Sequence, residues 1–65
     1  MTTAREKLTN KIARMDDELI LTCIAQIGGG RVDTEKSLVR ALLIDEVERR
    51  HGEDAADDIM DRIGL

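Results

Sequence analysis

The chain has 65 residues and a net charge of −4, with 42% hydrophobic and 37% charged residues. A chain of this size and composition forms one globular domain near the lower size limit for independent folding, which excludes a disordered chain and more than one domain. No Phe, Tyr or Trp is present. A single domain spanning residues 1–65 must therefore pack an aliphatic core of Leu, Ile, Val, Met and Ala.

The expected compartment follows from segments that the sequence lacks. Cys23 is the only cysteine, so no intramolecular disulfide can form. Residues 1–14 contain no apolar stretch of the kind that a signal peptide needs. No run approaches the roughly 18 apolar residues of a membrane span. We expect a cytoplasmic protein with no membrane partner.

Two short helices are predicted in the N-terminal half. The first spans about residues 3–14, because Thr3 and Glu6 have the spacing of a capping box. Its apolar residues recur every three or four positions and form one narrow stripe, made of Ala4, Leu8, Ile12 and Met15. The second helix spans about residues 16–27, with Asp16 as its N-cap and acidic residues in its first turn.

The third predicted helix, residues 34–51, is the most apolar part of the chain. Apolar side chains point almost all the way round its first half, at Leu38, Val39, Ala41, Leu42, Leu43 and Ile44. Such a helix must be surrounded, so we expect it to form the axis of the fold. Its second half carries two i,i+4 ion pairs, Asp45–Arg49 and Glu46–Arg50.

A fourth helix is predicted over residues 54–63, after Gly52. Its apolar stripe consists of Ala55, Ala56, Ile59, Met60 and Ile63. Together the four patterns predict an all-α fold, a small four-helix bundle.

Self-association is predicted from the third helix. The second and fourth helices are short and the first has only a narrow apolar stripe, so we expect part of the third helix to stay uncovered. At about 25 cal/mol per Å², one exposed apolar row would forgo several kcal/mol, which is comparable with the stability of so small a domain. We therefore expect a homodimer packed through the third helix, with its interface at Leu38, Val39, Leu42, Leu43 and Val47.

The residue types that usually carry catalysis are scarce. Cys23 lies on the apolar side of the second helix, where a structural thiol is expected, and His51 ends the third helix, where a cation suits the helix dipole. One Cys and one His do not supply the four ligands of a zinc site. Glycines 28–30 lack the spacing of a phosphate-binding loop. We expect no catalytic residue, no metal, no cofactor and no enzymatic activity.

Four aspartates of the fourth helix fall at i, i+3, i+4 and i+7, on the face opposite the apolar stripe: Asp54, Asp57, Asp58 and Asp61. Like charges at this spacing repel each other, and Arg62 offsets part of the repulsion. Three interpretations are open. The aspartates can form a solvated face that keeps the protein soluble, a docking surface that could mimic DNA phosphates toward a basic partner, or a site for a hard cation. A regular helix lacks the loop geometry of calcium sites, which disfavours the third.

Basic residues gather on one flank of the first helix, at Lys7, Lys11 and Arg14. They can form a solvated face, a docking strip for an acidic helix, or a nucleic-acid contact together with Arg31. Nucleic-acid-binding domains are usually basic, whereas this chain is acidic. A helix-turn-helix is disfavoured by the six-residue link between the second and third helices, and a ribbon–helix–helix dimer by the helical pattern before Gly30.

Two functions of different class follow from these patterns. The first is a small acidic interaction protein, a regulator, adaptor or inhibitor without enzymatic activity, that presents its acidic fourth helix to a protein partner. The alternative is a dimeric DNA-binding regulator that uses the basic first helix and Arg31.

Overall fold

The computed structural model describes residues 3–31 and 33–64. They form four helices, α1 (Ala4–Ala13), α2 (Asp17–Ile27), α3 (Thr34–His51) and α4 (Glu53–Arg62), and no strand occurs in these two ranges. Each helix lies within one residue of its predicted bounds. The all-α fold with four helices is therefore confirmed.

Side-chain caps explain why three of the helices begin where the sequence predicts. Thr3, Asp16 and Asp33 each accept a hydrogen bond from the backbone N–H three residues later, at 3.1, 2.8 and 2.8 Å. Each cap satisfies one of the free N–H groups at a helix start. The fourth helix has no such cap. Gly52, at φ 97°, joins α3 directly to α4, which therefore begins at Glu53 rather than Asp54.

The third helix is the centre of the fold, since α1, α2 and α4 all pack against it. The largest fully buried side chains are Ile20 and Ile24 of α2 and Leu43 of α3, each 1% exposed. From α1 only Ile12 joins the buried core, and α4 contributes Ala56 and Ile59. The prediction that residues 34–51 form the axis of a helical bundle is confirmed.

One side of α3 is nevertheless open to solvent. Its exposed residues follow the helical repeat at Ser37, Ala41, Asp45 and Glu48. These four are small or acidic, and we call them the open side of α3. The other helices of the chain therefore do not surround α3 completely, because the small residues Ser37 and Ala41 stay exposed along one line of the helix.

The loop between α2 and α3 is held by one arginine and one close backbone contact. The half-buried Arg40 donates Nη1 hydrogen bonds to the carbonyl oxygens of Gly28, at 3.0 Å, and Gly30, at 3.3 Å. The backbone of Gly29 approaches the end of α4 so closely that a Cβ there would lie 1.7 Å from the Ile63 carbonyl oxygen. The loop therefore joins the end of α2 to both α3 and the last turn of α4.

Candidate functional site

An ion-pair network lies where the end of α3 meets the junction of α1 and α2. It consists of Asp17, Glu46, Arg49, Arg50 and His51. Glu46 is only 7% exposed, and both arginines donate to its carboxylate, with Arg50 Nε at 2.6 Å from Oε2. The predicted Glu46–Arg50 pair is confirmed. The predicted Asp45–Arg49 pair is not, because Arg49 turns to Glu46 instead.

Arg50 connects three helices at this point. Its Nη1 donates to Asp17 Oδ1 at 2.9 Å, and its Nη2 donates to the carbonyl oxygens of Ile12 and Ala13 at 3.3 and 3.2 Å. Those two carbonyls end α1, where the helix dipole favours a cation. Asp17 also contacts His51 Nε2 at 2.9 Å. The network therefore fixes the α1–α2 junction against α3.

Both carboxylates of the network have lowered pKa values. The hydrogen bond from Arg49, and then that from Arg50, hold the pKa of Glu46 below its ordinary 4.5, against the opposing effect of burial. Hydrogen bonds from Arg50 and then His51 lower the pKa of Asp17 below 3.8. Carboxylates held ionised by arginines are ion-pair partners, whereas a general acid near neutral pH needs a raised pKa. The chemistry of these ion pairs is therefore suited to holding the helices together.

The four aspartates of α4 share one exposed face, as the sequence predicts. Asp54, Asp57, Asp58 and Asp61 line a shallow depression together with Met60. The opposite side of α4 is buried at Ala56 and Ile59. We call these four aspartates the acidic face. Its one ion pair among the described residues joins Asp58 to Arg62 at 3.1 Å.

The basic residues of α1 are also brought together. Lys7, Lys11 and Arg14 are exposed and line a second depression with Asn10. Arg31 lies at a different depression, lined also by Gln26, Ile27, Asp33 and Lys36. The structure therefore groups the first three as one basic flank, and it does not group Arg31 with them.

Most residues of the predicted dimer interface are buried within the single chain. Leu42, Leu43 and Val47 belong to the buried core, at 7%, 1% and 5% exposure. Val39 is half-buried and Leu38 is 36% exposed. Within the single chain, α1, α2 and α4 pack on α3 and cover three of the five residues that the sequence assigns to a second copy.

The two residues considered for chemistry, Cys23 and His51, have different surroundings. Cys23 is half-buried and packs against the core, and His51 faces Asp17 at the surface. Within residues 3–31 and 33–64, no three His, Cys, Asp or Glu side chains are arranged to hold a metal ion, the acidic face included. Over the same ranges, no helix has the length and apolar character needed to cross a membrane.

Compared with protein-family models, curated proteins and solved structures, the chain matches none of them. The exposed surfaces of the fold are therefore the basis for a functional proposal. Those surfaces are the acidic face of α4, the basic flank of α1 and the apolar residues left exposed between helices.

Proposed function

We propose that this protein is a small non-enzymatic interaction protein, a regulator, adaptor or inhibitor, that presents the acidic face of α4 to a basic surface of a protein partner. The observation that carries the proposal is the exposure of all four aspartates on one side of a helix whose other side is buried. A partner can reach this face while the fold stays intact.

The way the chain uses its other charges supports this proposal. Glu46 and Asp17 bind arginines within the fold, and Asp16 and Asp33 cap helices. On the acidic face, Asp54 lies in the first turn of α4, where the helix dipole favours an acid, and Asp58 pairs with Arg62. Asp57 and Asp61 have no ion-pair partner among the described residues. Aspartates at i,i+3 and i,i+4 repel each other, so the row opposes helix stability. Such a row is better explained by recognition than by folding.

DNA binding by the basic flank of α1 is the second candidate. The observation in its favour is that Lys7, Lys11 and Arg14 are exposed side by side, with Asn10 beside them. Phosphate contacts release counterions, so binding to random duplex DNA must weaken steeply with salt. A mobility-shift series on the wild type and on Lys7→Gln/Lys11→Gln/Arg14→Gln tests it. Salt-dependent binding that the triple variant loses would favour DNA over a basic protein partner.

Affinity capture from a lysate of the source organism tests the first candidate. Three aspartates are replaced together, Asp54→Asn/Asp57→Asn/Asp61→Asn, which leaves the Asp58–Arg62 pair in place; we call this the acidic-face variant. The matched control, Glu35→Gln/Asp45→Asn/Glu48→Gln, removes the same number of negative charges from exposed positions on α3.

The proposal predicts that at least one basic protein is retained by the wild type and the α3 control but lost by the acidic-face variant. Equal retention by all three proteins would contradict it. Equal loss from both variants would also contradict it, because the interaction would then depend on net charge and not on the face.

Self-association through α3 stays a prediction from the sequence. Leu38 and Val39 are the two members of the predicted interface that are not fully buried, and Leu38 lies beside the open side of α3. A homodimer packed through α3 would have to use this exposed surface. Sedimentation equilibrium at micromolar concentration should give a dimer mass for the wild type and a monomer mass for Leu38→Glu. A folded wild-type monomer would refute the homodimer.

A further inference from the structure

A groove with a volume of about 480 Å³ runs between α2 and α4. Apolar side chains and backbone form most of its wall, from Leu21, Ile24 and Ala25 of α2 and from Ile59 and Ile63 of α4. The backbone of Gly28 and Gly29 closes one end. Apolar atoms of two helices are open to solvent together in this groove.

Leu21 is the main apolar side chain in this groove that is not covered. It is 47% exposed, and Leu19, two residues earlier on the same helix, is 48% exposed. Two residues on a helix are about 200° apart, so the two leucines lie on opposite flanks of the buried stripe formed by Ile20 and Ile24. Only Leu21 lines the groove. Leu19 is therefore an internal control for an exposed leucine outside it.

One charged residue lines the groove, Arg62, and carboxylates lie near it on both helices. Glu18 is exposed one turn before Leu21 on the same flank of α2. On α4, Arg62 lines the groove, and its charge is paired with Asp58 at 3.1 Å. Asp58 belongs to the acidic face, which continues round α4 from this point. A ligand seated in the groove therefore meets apolar atoms first and carboxylates next to them.

We propose that the groove binds an amphipathic helix of the partner protein, with apolar residues against Leu21, Ile59 and Ile63 and with Lys or Arg on the acidic face. The inference rests on the function proposed above and names the chemistry of its partner. A helix suits the site because the acidic face repeats once per turn, about every 5.4 Å, and basic residues at i, i+4 and i+7 of a second helix repeat at the same interval.

A second copy of this chain does not offer such a helix. Its one basic amphipathic helix is α1, and the apolar stripe of α1 already packs on α3 through Leu8 and Ile12. To enter the groove of another molecule, α1 would have to leave its own fold. The occupant we propose is therefore a helix of a different protein.

The test uses a synthetic amphipathic helical peptide, with leucines on one face and lysines on the other, as the probe. Methyl NMR spectra of the full chain are recorded while the peptide is added. The inference predicts shifts at Leu21, Ile59 and Ile63 and none at Leu19. A peptide of the same leucine pattern with glutamates in place of lysines should not bind.

Two variants of equal exposure complete the test. Leu21→Glu should weaken peptide binding about tenfold or more, and Leu19→Glu should leave the affinity unchanged within about twofold, where tenfold corresponds to about 1.4 kcal/mol. Both positions are half-exposed, and an unchanged backbone spectrum verifies the fold. The methyl shifts of the wild type remain informative if a variant does not fold.

Each other result overturns the inference in a distinguishable way. In one such result, the acidic-face variant loses peptide binding, the peptide shifts none of the groove methyl signals, and Leu21→Glu binds as tightly as the wild type. This result would refute binding in the groove and would leave the proposed function standing. Peptide binding that Leu21→Glu loses but the acidic-face variant keeps would refute the contact between basic residues and the acidic face, and affinity capture would still decide the proposed function. If the signals of the groove methyl groups shift with protein concentration when no peptide is present, a second copy of the chain occupies the groove.

Discussion

Arg50 binds residues that are far from it in the sequence. It binds Asp17, 33 positions away in sequence, the buried Glu46 and the carbonyl oxygens that end α1. The i,i+4 spacing predicts its pair with Glu46. No local pattern could predict the pair with Asp17, because it exists only once α2 has packed beside the end of α3.

Replacing Arg50 should lower thermal stability more than replacing its neighbour. Arg50→Gln leaves the buried Glu46 and the α1 carbonyls with fewer donors, whereas Arg49→Gln removes a side chain that is 65% exposed and contacts Glu46 alone. Breaking a buried pair leaves an unsatisfied charge behind. Thermal unfolding followed by circular dichroism measures both. Equal melting temperatures for the two variants would contradict this role for Arg50.

The lowered pKa values of Glu46 and Asp17 make stability depend on pH in a defined direction. A carboxylate whose pKa is lower in the folded state stabilises the fold fully above its ordinary pKa, and this stabilisation is lost as pH falls through the folded value. The melting temperature should therefore fall below about pH 4.5, the ordinary pKa of Glu46. Glu46→Gln should melt lower than the wild type at neutral pH. The gap should narrow as the wild-type carboxylate takes up its proton; a gap that stays constant down to about pH 3 would argue against the network.

Gly29 and Gly30 require glycine for different structural reasons. A Cβ on Gly29 would collide with the Ile63 carbonyl, whereas Gly30 has free space but a φ of +75°. Gly29→Ala should therefore reduce the free energy of unfolding by about 1–3 kcal/mol, as overpacking does. Asn tolerates a positive φ, so Gly30→Asn should cost less than Gly30→Ala, while Gly29→Asn should recover nothing. Urea denaturation of the four variants checks this, and recovery by Gly29→Asn would contradict the close contact.

At the scale of the helices, the sequence predicts the starts and ends well and the exposure of α3 poorly. Polar caps and glycines are local signals, so they fix the bounds of α1, α2 and α3 to within a residue. Which side of α3 is covered depends on how three other helices pack. The small residues Ser37 and Ala41 are the one signal that could have indicated its open side.

The two sides of α3 should respond differently to the same truncation. Leu43 is 1% exposed in the core, and Leu38 is 36% exposed beside the open side. Leu43→Ala should reduce the free energy of unfolding by about 2–5 kcal/mol, as a buried leucine does. Leu38→Ala should reduce it by less than about 1 kcal/mol if the chain is a monomer in the assay. Similar losses at both positions in urea titrations would place Leu38 in a buried contact, such as the predicted dimer.

Over the whole molecule, the charged residues fall into a group used by the fold and a group left on the surface. The ion-pair network belongs to the first group, and the acidic face and the basic flank belong to the second. The spacing of the four aspartates predicts the acidic face from sequence alone. The groove beside it could not be predicted, because it requires the relative placement of α2 and α4.

Removing one charge from the acidic face should stabilise the fold slightly. Asp61 lies three and four residues after Asp58 and Asp57, and it sits in the last turn of α4, where the helix dipole disfavours an acid. Asp61→Asn should raise the free energy of unfolding by roughly 0.2–0.5 kcal/mol per relieved pair. Chemical denaturation at low salt measures the change. A loss of stability would show that Asp61 supports the fold, against the role proposed here.

The proposal that α4 is the binding surface is tested most directly by photo-crosslinking in living cells. The photoreactive residue p-benzoylphenylalanine replaces Asp57 on the acidic face or, as a matched control, the exposed Glu48 on the open side of α3. We predict that irradiation attaches a second protein to the chain substituted at position 57 and none at position 48. Adducts of equal yield at both positions, or an adduct at position 48 alone, would contradict the proposal.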